Sequence, residues 1–136
     1  MRRTAYWSAV ILGLLLVIGG VVTWIMVSNT LADEKITVAE DASCLAGRTV
    51  AGPFTAFCQA DIIQKHALEA TGGKTYAELG RDDPARDTAM RASFLRASLF
   101  TSVVAFGVAG MAVLLGVVFA LIGLGMRDVG EKTGEL

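Results

Sequence analysis

The sequence predicts a mainly α membrane protein: an antiparallel two-helix transmembrane hairpin with a small, mostly helical extracytoplasmic domain between the spans. Three observations predict it. No charged residue occurs from Thr4 to Ala32, a run of 29, or from Ala97 to Met126, a run of 30. About 20 apolar residues cross the hydrocarbon core of a bilayer, so each run is long enough to span it with tilt. Between the runs, Asp33 to Arg96 carries 18 of the 25 charged residues. Hydrophobic residues make up 54% of the 136, and mean hydropathy is +0.57, too apolar for an ordinary soluble domain of this length. The boundaries that follow are 1–5 for a cytoplasmic amino terminus, 6–29 for the first span, 30–96 for the extracytoplasmic domain, 97–126 for the second span and 127–136 for a cytoplasmic tail.

The first helix runs from about Tyr6 to Asn29. Arg2 and Arg3 precede it and Thr30-Leu31-Ala32 follows it as a weak cleavage pattern, which is how a signal peptide is built. Its apolar core from Ser8 to Val27 has 20 residues, however, against roughly 7–15 in signal cores, so it reads as a retained anchor. Tyr6, Trp7 and Trp24 lie near its ends, where rings with one polar edge suit the headgroup level.

In the middle segment, Glu34 to Val38 alternates and carries β-branched residues, and Arg48 to Val50 can pair with it as a short β-hairpin. Gly52-Pro53 opens a helix over about Phe54 to Ala70, and Gly72-Gly73 closes it, because glycine accepts the left-handed turn at a helix end. Thr75-x-x-Glu78 is a capping-box pattern for a short helical turn. Asp83-Pro84 is a start signal, Asp as cap and Pro in the first turn. Nothing breaks the helix after it until the glycines of the second run, so the second span is continuous with a pre-membrane helix from about Pro84. Arg86, Arg91 and Arg96 on that stretch can snorkel to lipid phosphates.

In the second span, Ala105, Ala109, Ala112, Gly116, Ala120 and Gly123 recur at steps of four, three, four, four and three, which places them on one helix face. The first span offers Ala9, Gly13 and Gly20. Small residues let membrane helices approach closely. The face has two candidate occupants, the first helix or another protein.

Arg2 and Arg3 favour an inside amino terminus, and two spans return Arg127 and Lys132 to the same side. Arg91 and Arg96 argue the other way, but long loops translocate largely regardless of charge. Both cysteines, Cys44 and Cys58, fall in the exported segment. An oxidising compartment would join them in one disulfide, with two free thiols as the alternative.

No catalytic constellation is present. Lys+Arg 12 against Asp+Glu 13 gives no electrostatic footprint for nucleic acid. Neither uncharged run holds a histidine, which argues against an ion or proton path made by this chain alone. The single histidine, His66, cannot supply the two that a mononuclear iron triad needs. Zinc held by Cys44, Cys58, His66 and Asp61 matches no standard spacing. There is no Gly-rich phosphate loop and no nucleophile elbow. No catalytic, cofactor-binding or metal residue is assigned, and the reading is not an enzyme.

The segments Ile36–Ala42, Leu45–Gly47, Gly52–Ala56, Gln59–Asp61 with His66–Leu68, Thr75–Leu79 and Ala92–Phe100 resemble small, uncharacterised two-span membrane proteins of actinobacteria. The resemblance covers about Ile36 to Phe106 and the two-span plan. Many members carry the name aromatic ring-opening dioxygenase, which the histidine count contradicts. The resemblance implies an actinobacterial plasma membrane and no known activity. The leading expectation is an accessory or assembly subunit of a larger respiratory or cell-envelope complex, partnered by the bilayer and by other membrane subunits. The alternative is a membrane-anchored sensor or ligand-binding module that holds its ligand between the Phe54 helix and the pre-membrane helix.

Overall fold

The computed structural model describes residues 2–132 and 134. The predicted end segments 1–5 and 127–136 therefore fall partly outside the described residues, at Met1, Thr133, Glu135 and Leu136. Three helices follow in order: α1 (Arg2–Asp33), α2 (Pro53–Ala70) and α3 (Ala85–Lys132). Among the described residues no strand forms, and α1 and α3 are long and apolar enough to cross a membrane. At 1.5 Å per residue the 32 residues of α1 reach roughly 48 Å and the 48 of α3 roughly 72 Å. Only 11% of the most apolar stretch of α1 and 17% of that of α3 is buried, so neither is the enclosed core helix of a soluble protein.

Both long helices outrun their predicted spans. Past Met126, where the predicted second span ends, α3 continues to Lys132. Its charges support helix: Arg127 pairs with Glu131 at 2.7 Å and Lys132 with Asp128 at 2.8 Å, both four residues apart. At the other end of α3, the Asp83 carboxylate accepts from Ala85 N–H at 2.9 Å, as the cap signal requires.

The contacts divide the chain into two compact units. One gathers the chain up to Met26 and from Gly107 onward. The other is Val27–Phe106. In this second unit α1 supplies Val27 and Leu31, α2 supplies Ala56, Ala60 and Ile63, and α3 supplies Leu99, Val103 and Phe106. The spacings of three and four put each set on one helix face. Val38 and Val50 fill the middle of this core and are fully buried.

The expected β-hairpin is reduced to one antiparallel bridge, Thr37 with Thr49. Val38 N–H donates to Arg48 O and Val50 N–H to Ile36 O, both at 2.8 Å. The paired stretches are too short for a ladder, and Leu45 and Gly47 turn the chain with φ of 51° and 70°. Gln59 on α2 holds the loop by accepting from Ala39 N–H at 2.9 Å, and Ser28 on α1 donates to Ala51 O at 2.6 Å.

The ends of α2 follow their sequence signals. Thr55 Oγ1 accepts from the N–H groups of Ala51 and Gly52 at 3.2 and 3.1 Å. At the far end Gly73 N–H donates to Leu68 O at 2.7 Å and Gly72 N–H to Glu69 O at 3.4 Å, with φ of 64° at Gly72 and 84° at Gly73. That pairing is a Schellman close, which glycine permits. The Thr75–Glu78 pattern makes its hydrogen bonds, Thr75 N–H and Oγ1 donating to Glu78 Oε2 at 2.8 Å, but in a turn rather than a helix.

Candidate functional site

Three features carry chemistry or close packing: a seam between the long helices, the cysteine pair, and a cleft beside α2. In the seam, Gly13, Gly20, Ala109, Gly116 and Gly123 are buried, and Ala9, Ala105, Ala112 and Ala120 are half-buried. A Cβ added at Gly116 would lie 2.6 Å from Gly13 O and 2.8 Å from Val17 N. One at Gly13 would lie 2.6 Å from Ala120 N, and one at Gly20 2.6 Å from Ala109 O. One at Gly123 would lie 2.9 Å from Tyr6 O. The partners run in opposite order along the two helices: position 6 faces 123, 13 faces 116 and 120, and 20 faces 109. Backbone thus meets backbone at three levels, and a side chain at any of the four glycines would force the helices apart.

The sequence reading missed part of this seam. Val10, Val17 and Val113 fill the spaces between the glycines, and Gly110 abuts the Trp24 ring, with an added Cβ 3.6 Å from Trp24 Cζ3. Buried positions on α3 recur every seven residues, at Ala109, Gly116, Gly123 and Gly130, the repeat of a left-handed helix pair. Tyr6 is buried, while Trp7 is half exposed with its ring centroid 5.4 Å away.

Cys44 and Cys58 lie at disulfide-bonding distance, with Cα atoms 5.7 Å apart and 14 residues between them in sequence number. The pair ties the loop before α2 to the buried face of α2. His66 Nε2 meets Asp41 Oδ2 at 2.6 Å, and this hydrogen bond is the first cause that holds the Asp41 carboxyl below its ordinary range. The four zinc candidates are therefore not gathered: the cysteines engage each other and His66 engages Asp41. Among the described residues no group of three or more histidine, cysteine or carboxylate side chains could hold a metal ion.

The third feature is a cleft of about 280 Å³ between α2, the 74–77 turn and the first turns of α3. Gln64 and Leu68 line it from α2, Lys74 and Tyr76 from the turn, and Ser93 and Arg96 from α3. The three arginines of the pre-membrane stretch each have contacts within the protein. Arg86 donates to Leu79 O and stacks over the Tyr76 ring at 4.1 Å, and Arg91 pairs with Asp87 at 2.9 Å. Arg96 lies with its guanidinium carbon 5.6 Å from the Phe100 ring centroid, and its Nε is buried with no hydrogen-bond partner among the described residues. Nothing in the sequence distinguishes Arg96 from Arg86 and Arg91; only the fold does.

Comparison with protein-family models, with curated proteins and with solved structures finds no match for this chain.

Proposed function

We propose that this chain is a non-catalytic integral membrane protein, of the small two-span actinobacterial kind it resembles, and an accessory or assembly subunit of a larger membrane complex. In this reading α1 and α3 cross the bilayer as an antiparallel hairpin. Both termini are cytoplasmic, and the domain between the spans is extracytoplasmic, with Cys44 and Cys58 oxidised. The large apolar side chains exposed along both helices, among them Leu15, Ile18, Leu114 and Leu121, support lipid as their solvent.

One observation carries the accessory role. Phe94 is 68% exposed and Leu95 51%, on the charged stretch of α3 before the uncharged run begins. Lipid tails do not cover that stretch, and the small-residue seam is already occupied within the chain, so a partner subunit is the fitting cover for these two side chains. The test is purification of the tagged chain in a mild detergent. Stoichiometric co-purification of other membrane subunits, lost in a Phe94→Ser, Leu95→Ser variant, supports the reading. Recovery of a lone monomer or homodimer from both proteins refutes it.

The second reading, a ligand-binding module, is favoured by the cleft between α2 and α3. Its lining residues come from the Phe54 helix, the 74–77 turn and the pre-membrane helix.

A further inference from the structure

We infer that the cleft between α2 and α3 is a binding site for a small organic anion, whose carboxylate or phosphate sits between Arg96 and Lys74. The inference rests on the binding-module reading and not on the accessory-subunit one. A null result in its test leaves the co-purification experiment standing.

The argument begins with Arg96. A guanidinium presents five N–H donors in a rigid fork and accepts nothing. Burying any of them without a partner is costly, so the fork as a whole favours an acceptor within reach. Arg96 lines the cleft, and its Nε has no hydrogen-bond partner among the described residues. The Phe100 ring attracts the cation from one side but offers no acceptor. Lys74 brings a second cation to the same cleft, and no carboxylate lines it. Glu78 senses the charge of Lys74, and its Oε2 accepts from Thr75 N–H and Oγ1 at 2.8 Å. Gln64 adds an amide that can donate. Leu68 and Tyr76 form an apolar wall beside these groups. Two cations, an amide and an apolar wall fit an anion with a short apolar body. The volume of about 280 Å³ is near the lower end of small-molecule sites, which run from about 300 Å³.

A lipid headgroup has the same chemistry, so its reach matters. Counted back from Arg127, about 20 residues of α3 cross a hydrocarbon core. Arg96 then lies some eleven residues further on, roughly 16 Å along the helix. Counted instead from Ala97, where the uncharged run begins, Arg96 stands at the headgroup level, so the arms of the test separate the two sources.

The test uses the full chain in nanodiscs of phosphatidylcholine alone. The Arg96 Nε–H signal is assigned by its loss in Arg96→Lys, and inorganic phosphate and butyrate are titrated separately. The expected result is a saturable shift of that signal with at least one probe. Lys74→Gln should weaken the affinity roughly tenfold, the loss of about one charge-assisted contact. Arg96→Gln should abolish binding as read at neighbouring amides. If that variant does not fold, the exposed Lys74→Gln carries the test alone. Absence of a saturable response to either probe in the folded protein overturns the inference. So does a shift that appears only when phosphatidylglycerol is added to the nanodisc, with no response to the soluble probes.

Discussion

Replacing Gly116 with alanine adds one methyl group at the tightest level of the seam. Its Cβ would stand 2.6 Å from Gly13 O and 2.8 Å from Val17 N, and both are backbone atoms that cannot rotate away. Reaching ordinary contact distance requires the helices to separate by roughly 0.8 Å, a gap that forfeits about a quarter to a half of each dispersion contact across it. Overpacking of this kind costs ~1–3 kcal/mol, offset by up to ~1 kcal/mol of better helix propensity for alanine. We expect a net loss of about 1–2 kcal/mol. Gly19, Gly107 and Gly125 provide the control, since nothing lies within 4 Å of an added Cβ at any of them. Alanine there should be neutral or stabilising by up to ~1 kcal/mol. The assay is reversible unfolding in mixed micelles, followed by the fluorescence of Trp24, whose ring borders Gly110 in the seam. If Gly116→Ala behaves like the three controls, the helices do not meet here and the seam is wrong.

Three further outcomes follow from the second unit. Reduction, or Cys44→Ser with Cys58→Ser, should destabilise it by up to ~3 kcal/mol on the chain-entropy account of a loop this short, read as a lower melting temperature with reductant present. Asp41 should titrate below its ordinary 3.8, because His66 stabilises the charged form, and return toward 3.8 in His66→Gln, read by carboxyl NMR. Its contribution to stability is accordingly complete above 3.8 and disappears as pH falls through the lowered value. Leu45 holds φ of 51° and is 40% exposed, so relief of the left-handed strain in Leu45→Gly should stabilise by about 1 kcal/mol in thermal unfolding.

Much of the architecture is legible in the sequence because it rests on charge and on glycine. The absence of charge from Thr4 to Ala32 and from Ala97 to Met126 marks both long helices. Gly72 and Gly73 mark the end of α2, since few other residues make that close cheaply. Helix ends were less legible. Arg127 marks the end of the uncharged run but not of the helix, because the Arg127–Glu131 and Asp128–Lys132 pairs carry α3 past it. The small-residue face could be traced on α3, yet its occupant depended on which backbone came near, a long-range fact that periodicity does not encode. The lining of the cleft was less legible than its place between the Phe54 helix and the pre-membrane helix. Gln64, Lys74 and Arg96 are far apart in sequence, and only the packing of α2 against α3 brings them to one space.

The central claim is that α1 and α3 cross a membrane and leave the domain between them outside. Labelling of single added cysteines with a membrane-impermeant maleimide in intact cells tests it most directly, with Cys44 and Cys58 left as they are. Lys65→Cys, on exposed α2, should label at once, and Lys132→Cys, at the end of α3, only after the membrane is opened. Labelling of both in intact cells would contradict the two spans, and the reverse pattern would contradict the exported domain.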